Sequence, residues 1–377
     1  MAFRRASTAP KSHPNHARWG DAQELLELAT GQKMNAELAI VGGGPTGLGA
    51  SIIAALAGFH PVVFEPKEGI IDKACGEGLM PAGLDHLLRM GVNPKGREFV
   101  GIRYLDGISG RGPEGRFGSP GRGVRRLELH RALLERAQEL GVKFVHAKVQ
   151  DLEQSANQVT LVTTAGSWNA KHVIAADGLH SRIRRKLGIE SKTPKFKRYG
   201  VRRHYQLEPW SDFVEVYWID GAEAYVTPVS DSCVGIAMLF EPRSDFDELL
   251  AQFPALQDKI LDAPFASQDQ GAGPFEQRLP RHSQGRVLLC GDAAGYLDPL
   301  TGEGIAMGLA SAQAAVECIV ADDVLGYDDA YKRVTAPYYR NATNLLAFTR
   351  SRTMQRVMLS ALRLPHLFDG ILGQVAK

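Results

Sequence analysis

Only four cysteines occur in 377 residues, at positions 75, 233, 290 and 318. None stands in a C-x-x-C pair, and they are too few and too scattered for a disulfide framework. No metal site is expected. Such sparse thiols suit a reducing, cytoplasmic compartment. A dominant charge sign is missing too: 44 Lys and Arg face 42 Asp and Glu, a formal net charge of +2. That balance gives no electrostatic case for nucleic acid as a partner. Nor is there a long unbroken hydrophobic run. The longest, "GIAMGLASAQAAVECIVA" from 304 to 321, is interrupted by Ser311, Gln313 and Glu317, and reads as a buried helix rather than a bilayer span. G-x-S-x-G and H-E-x-x-H are absent, so the chain carries none of the usual hydrolase or zinc-protease signatures. Residues 1–33 lack acid early on and show no apolar periodicity; they are expected to be a disordered or non-native leader.

What is present begins at Met34. Leu38 to Val41 is a short apolar run, as a buried parallel strand requires. Gly42, Gly44 and Gly47 follow in G-x-G-x-x-G spacing, with Pro45 and Thr46 between them, then a small-residue helix and a second strand ending in Glu65. Gly42 permits a tight turn, Gly44 lets a pyrophosphate approach the backbone, and Gly47 lets helix and strand pack closely. Glu65 falls where a carboxylate accepts ribose hydroxyls, which argues against a 2′-phosphate there. This motif alone leaves NAD and FAD both open.

Two further stretches carry the same logic. "VIAADGLHSRIRRKLGI" runs from a strand into Asp177 and Gly178. Ser181 and Arg184 follow, readable either as a surface cap and a surface arginine or as partners of the motif. "GRVLLCGDAAGYLDPLTGEGIAMGLASAQAA" gives a strand, then Gly291 and Asp292, then Pro299, then Gly302, Glu303 and Gly304 at the start of the long apolar helix. The N–H groups of that helix start can stabilise negative charge.

With these three motifs in order, the chain resembles the flavoprotein monooxygenases of the para-hydroxybenzoate hydroxylase fold and the related geranylgeranyl reductases, from about Met34 to about Ala321. The resemblance implies an α/β fold: an FAD-binding Rossmann-like domain of the glutathione reductase type, an inserted antiparallel-sheet substrate domain, and C-terminal helices. It implies that Asp292 binds the FAD ribitol, that Asp177 and Gly178 serve FAD and the nicotinamide path, and that Arg126 contacts the flavin or its phosphates. The Gly302–Gly304 turn would face the flavin ring. The family's aspartate after that arginine motif is replaced by His130, and no role is assigned to it.

The expected division is 34–75, 100–190 and 276–325 for the FAD-binding domain, 76–99 for a flavin-side loop and helix, 191–275 for the substrate domain, and 326–377 for a C-terminal helical segment. The glycine-rich "GISGRGPEGRFGSPGRG" (107–123) is expected to be a mobile hairpin or loop. With no second dinucleotide motif, NAD(P)H would visit the flavin transiently. Trp218, Tyr225 and Pro228 are the pocket candidates in the strand-rich insert, Pro228 suggesting an edge or a bulge. Residues 331–377 carry eight Lys and Arg against one Asp, interleaved with apolar residues. They are expected to pack on the parent domain, while allowing peripheral membrane contact or cover over an oily substrate.

"DKACGEGLMP" (72–81) lies just beyond Glu65. The resemblance places it beside the flavin ring, with Gly76 and Gly78 as backbone contacts and Cys75 and Glu77 as wall residues. The reductases of the family carry Cys-Gly-Gly here; this chain has Cys-Gly-Glu-Gly. Two activities are therefore expected in this order. The first is NAD(P)H-dependent monooxygenation of a hydrophobic aromatic or polyketide- or isoprenoid-like molecule through a flavin C4a-hydroperoxide, with O2 as co-substrate. The second is saturation of a C=C bond in a prenyl or lipid substrate. A flavin-binding sensor is a third, non-enzymatic reading. The tryptophan-rich motif and lysine of the halogenase relatives have no counterpart.

Overall fold

The computed structural model describes residues 34–192, 197–241, 244–349, 351–364 and 366–375; the expected leader lies outside them. Two eight-stranded sheets organise the chain. In the first, strands Val287–Leu289, Gly166–Ala175, Met34–Val41, Pro61–Phe64 and Lys143–Val145 run parallel in that spatial order. Val41, the last residue of the central strand, pairs with Phe64 on one side and Ala175 on the other. The chain leaves this strand between neighbours that return from opposite directions, which opens a crevice at the carboxyl ends of the strands. The burial pattern follows: Leu38, Ala39 and Ile40 are wholly buried, as expected of a strand covered on both faces.

Helices Pro45–Leu56 and Gly304–Val320 pack together beside this sheet. Pro45 sits in the first turn, where its missing N–H is no loss. The small residues of "GASIIAA" and "MGLASAQAA" let the two helices approach: a β-carbon on Gly49 would lie 2.4 Å or so from nothing but the Leu309 side chain, so it is the helix–helix contact that fills this space.

The second sheet has the order Gln270–Ala272, Tyr199–Gln206, Cys233–Phe240, Ala222–Ser230, Phe213–Ile219, Arg97–Asp106, Glu114–Gly123, Gly78–Leu79. It departs from the expected boundaries. Arg97–Asp106 and Glu114–Gly123, assigned from sequence largely to the FAD-binding part, pair into this sheet, Arg97–Asp106 running parallel to Phe213–Ile219. The glycine-rich stretch is thus half strand rather than a loop. Its side chains give no strand signal; pairing with Arg97–Asp106 imposes the extended state, as tertiary context can. The sheet is therefore not purely antiparallel.

Each face of the second sheet has its own cover. Tyr217, Ala224 and Ile236 pack under the short helices Phe246–Leu250 and Pro254–Ile260. Ile102, Tyr104, Val214 and Val216 face the C-terminal helices Arg352–Ala361 and Leu367–Val375. Gln355 Nε2 donates to Ile219 O at 3.1 Å, and Asp369 Oδ1 accepts the Arg116 N–H at 2.7 Å. These two bonds pin the C-terminal helices to the sheet. Among the described residues no helix is long and apolar enough to cross a membrane.

Candidate active site

The carboxyl ends of the first sheet and one face of the second enclose a single cavity of about 1010 Å³. Its first end is polar. Gly44, Pro45, Thr46, Arg126, Asp177, Gly178, Asp292, Pro299, Gly302 and Gly304 line it, so the three motifs meet there. Gly42 has φ of 106°, and a β-carbon on it would sit 2.5 Å from Ala176 O; only glycine fits that turn. A β-carbon on Gly47 would collide with the Gly42 carbonyl. On Gly44 it would meet no protein atom within 4 Å, so that side of the turn is open to a ligand.

The charge at this end is unbalanced locally. Arg126 is 3 % exposed, yet its Nη1 and Nη2 have no hydrogen-bond partner among the described residues. A buried guanidinium without an acceptor is expensive, and burial depresses its pKa. Asp292 is accessible, but protein surrounds it and the access is to the cavity. Burial pushes its carboxyl up while Lys73 and Arg126 pull the other way. A group with anionic oxygens for Arg126, hydroxyls for Asp292 and room beside Gly44 matches this donor set. FAD has all three features, and the residues present fit it.

Several candidates are supports rather than walls. Gly42, Gly47, Gly291, Glu65 and Glu303 do not line the cavity. Glu65 Oε2 accepts the Gly43 N–H at 2.8 Å and Oε1 the Lys67 N–H at 3.0 Å, so its carboxylate braces the glycine turn. Glu303 sits behind the wall, where its side chain bonds to Thr301 and Asn341, and burial pushes it up to about 7. Asp177 accepts the Ser181 hydroxyl at 2.5 Å and the Arg182 N–H at 2.7 Å, capping a short helix. Ser181 and Arg184 are buried, not on the surface. Arg184 Nη1 donates to Ala293 O at 3.2 Å, which ties the Asp177 motif to the Asp292 motif.

Beyond the polar end the wall changes. Cys75, Gly76, Glu77 and Gly78 form one side. Burial, with Glu77 adding to it, pushes the Cys75 thiol up, so it stays protonated. Tyr225 marks the junction: its single hydroxyl proton has two acceptors in reach, Glu223 Oε2 at 3.0 Å and Leu300 O at 3.1 Å. Past it Ile102, Tyr104, Val216, Met358, Leu362 and Phe368 give the lining a mostly apolar character, with Asn341 and Asn344 also on the wall. Two pocket candidates are corrected. Trp218 does not line the cavity; it is 2 % exposed and packs behind Tyr104, ring centroids 4.8 Å apart. Pro228 does not line it either. It lies next to a bulge, as expected, but in a strand inside the sheet rather than at an edge.

Other residues have no motif to announce them. His130 Nδ1 accepts the Ile71 N–H at 3.4 Å, so its Nε2–H donates to Gly43 O at 2.9 Å. Burial and Arg126 push His130 down to about 4, and the neutral ring clamps the glycine turn. Arg198 bridges Asp298 and Glu223, each at 3.0 Å. Burial outweighs that partner and pushes Asp298 up to about 7. From sequence His130 carries no assigned role, and Arg198 sits in the basic run KRYGVRR with nothing to single it out.

The chain matches the FAD binding domain family over residues 35–321. It is 27 % identical to the menaquinone reductase of Mycobacterium tuberculosis, over 77 % of this chain and 78 % of that protein. It is 28 % identical to digeranylgeranylglycerophospholipid reductase 2 of Methanopyrus kandleri (77 % and 79 %). It is also 27 % identical to 3-amino-4-hydroxybenzoate 2-monooxygenase of Streptomyces cremeus (82 % and 86 %). The fold is shared with the flavin-dependent brominase Bmp2, with a TM-score of 0.80, 18 % identity and coverage of 91 % and 94 %. It is shared too with p-nitrophenol 4-monooxygenase PnpA of Pseudomonas putida, at 0.76, 21 %, 92 % and 99 %. With the matched region, the open glycine turn and the unpartnered Arg126 in agreement, the chain belongs to the FAD binding domain family and is an FAD-dependent oxidoreductase.

Proposed function

We propose that this oxidoreductase is an NAD(P)H-driven monooxygenase that places one atom of O2 on an apolar molecule bearing an aromatic ring or an isolated double bond. The observation that carries this is the continuity of the cavity: a cofactor-binding polar end opens directly into an apolar chamber closed by the C-terminal helices. Bound FAD would supply hydride acceptance from NAD(P)H and oxygen activation. The chain supplies the rest. Arg126 and Lys73 offer positive charge, Asp292 an acceptor for hydroxyls, and the start of helix Gly304–Val320 free N–H groups. Ile102, Tyr104, Leu362 and Phe368 exclude water from the reacting centre. Tyr225, already donating to Glu223, keeps lone pairs to receive a substrate hydroxyl.

A reductase is the second reading, and Cys75 favours it: a protonated thiol in the cavity wall could deliver a proton to a carbon centre. The names of two relatives, a menaquinone reductase and a digeranylgeranylglycerophospholipid reductase, point the same way. The discriminating experiment incubates the purified FAD-loaded protein and NAD(P)H with alkyl-substituted phenols and with a prenylated quinone, in air and without oxygen. Oxygen-dependent gain of one oxygen atom supports the monooxygenase; oxygen-independent gain of two hydrogens supports the reductase.

The cavity mouth bears on where the substrate comes from. Phe348, Val357, Leu367 and Ile371 both line the cavity and stand exposed, beside exposed Arg356 and Arg363. This composition suits a peripheral membrane contact that feeds an apolar substrate to the chamber. A cytoplasmic location accords with the four free cysteines. Co-sedimentation with anionic but not neutral vesicles would support the contact; equal absence from both would remove it.

A further inference from the structure

Glu77 has a backbone that its side chain does not favour. Its φ is 62°, in the left-handed region that a non-glycine residue adopts only at a steric cost. The carboxylate is also buried, with its side chain 1 % exposed. Two unfavourable features at one residue need a compensating set of contacts, and these are present. Oε1 accepts the Arg126 N–H at 2.7 Å, and Oε2 lies 2.5 Å from His204 Nε2. The Glu77 carbonyl accepts the Val124 N–H at 2.8 Å. The adjoining Gly76 carbonyl accepts the Thr227 hydroxyl at 2.8 Å.

The proton on His204 follows from its other neighbour. Arg202 Nη1 lies 3.0 Å from His204 Nδ1. A guanidinium can only donate, so Nδ1 accepts and Nε2–H donates to Glu77. Arg202 in turn binds Asp72 at 2.6 Å and the Lys73 carbonyl at 3.3 Å. Ser267 Oγ lies 2.8 Å from the same Nδ1, to which its hydroxyl can donate, and accepts the His204 backbone N–H at 3.1 Å, so it fixes the far side of the ring. The Glu77 carboxylate is therefore held from the second sheet while it grips the cofactor side.

What it grips is the N-terminus of helix Arg126–Glu139. Arg125, at the cap position, offers that helix no side-chain bond. Glu77 supplies the missing acceptor from 49 residues away, and its charge complements the positive helix end. The first residue of the helix is Arg126, whose guanidinium faces the cavity unpartnered.

We propose that Glu77 is a positioning residue for the flavin: clamped by His204, it caps the Arg126 helix and so fixes both the Arg126 guanidinium and the Cys75–Gly78 turn against the cofactor. This rests on FAD binding and not on which reaction the flavin performs. Glu77→Gln keeps the shape but presents an amide N–H₂ to one of two donors. His204→Asn breaks the clamp from strand Tyr199–Gln206 and leaves the strained loop untouched. Each variant, as the full-length protein titrated with FAD, is expected to bind it about tenfold more weakly or worse. The Glu77→Gln/His204→Asn double variant should lose little more than either single one, because both remove one clamp. Loss of the negative charge should also raise the midpoint potential of the bound flavin in Glu77→Gln, which a purely structural strut would not do. Wild-type affinity and potential in both single variants, or additive losses in the double variant, would overturn the proposal. These readouts need only FAD, so they stand even if neither oxygenation nor C=C reduction is found.

Discussion

Arg126 is the residue proposed to matter most for cofactor retention, because its guanidinium is buried with no acceptor among the described residues. Arg126→Ala removes a charge-assisted contact and is expected to weaken FAD binding about 10- to 100-fold by fluorescence titration, with little change in melting temperature. Arg198 is the opposite case: its partners are protein carboxylates. Arg198→Met leaves Glu223 and Asp298 buried together without their cation. Urea unfolding should show a loss of roughly 3–5 kcal/mol. His130 gives a pH signature. Its pKa falls from an ordinary value near 6.5 to about 4 on folding, so the unfolded chain takes up the proton first. The stability that His130 contributes is full above pH 6.5 and declines as pH falls towards 4, by up to about 3 kcal/mol. His130→Asn, which cannot titrate, should close on the wild type across that window in parallel unfolding curves; a constant gap would contradict the assignment.

Legibility differed between elements. The strand–turn–helix units around Gly42, Asp177 and Asp292 were readable because each packs a short apolar run, a glycine turn and a helix start into adjacent residues. A parallel sheet then gathers their loops at one end. The strand Glu114–Gly123 was not readable. It has glycine at 115, 118, 121 and 123 and no β-branched residue, and its state comes from its partner strand. The C-terminal helices were readable as helices, but cover over an oily substrate was only one of the roles open to them, since their amphipathic faces fit many surfaces. Gln355 and Asp369 anchor that roof. Gln355→Ala with Asp369→Ala is expected to loosen it by about 1–3 kcal/mol in sum. Faster amide exchange over 352–375 and a severalfold rise in peroxide released per NAD(P)H would follow. Unchanged exchange would mean apolar packing alone holds the helices.

For the whole molecule, the long-range contacts that hold the second sheet against the polar end of the cavity were the least visible. Glu77 and His204 are 127 residues apart, and Arg198 and Asp298 are 100 apart; no local pattern couples such positions. Glu77 read from sequence as an intrusion into a glycine loop. In the fold it is the point where the substrate sheet holds the cofactor side. In the proposed reaction the cavity joins bound FAD to a dry, apolar substrate chamber for oxygen transfer. Mass spectrometry of the product formed under ¹⁸O₂ tests it most directly, with FAD, NAD(P)H and an alkyl-substituted phenol supplied. One ¹⁸O atom per product molecule is the predicted result. A product carrying two added hydrogens and no ¹⁸O, formed equally well without oxygen, would contradict it.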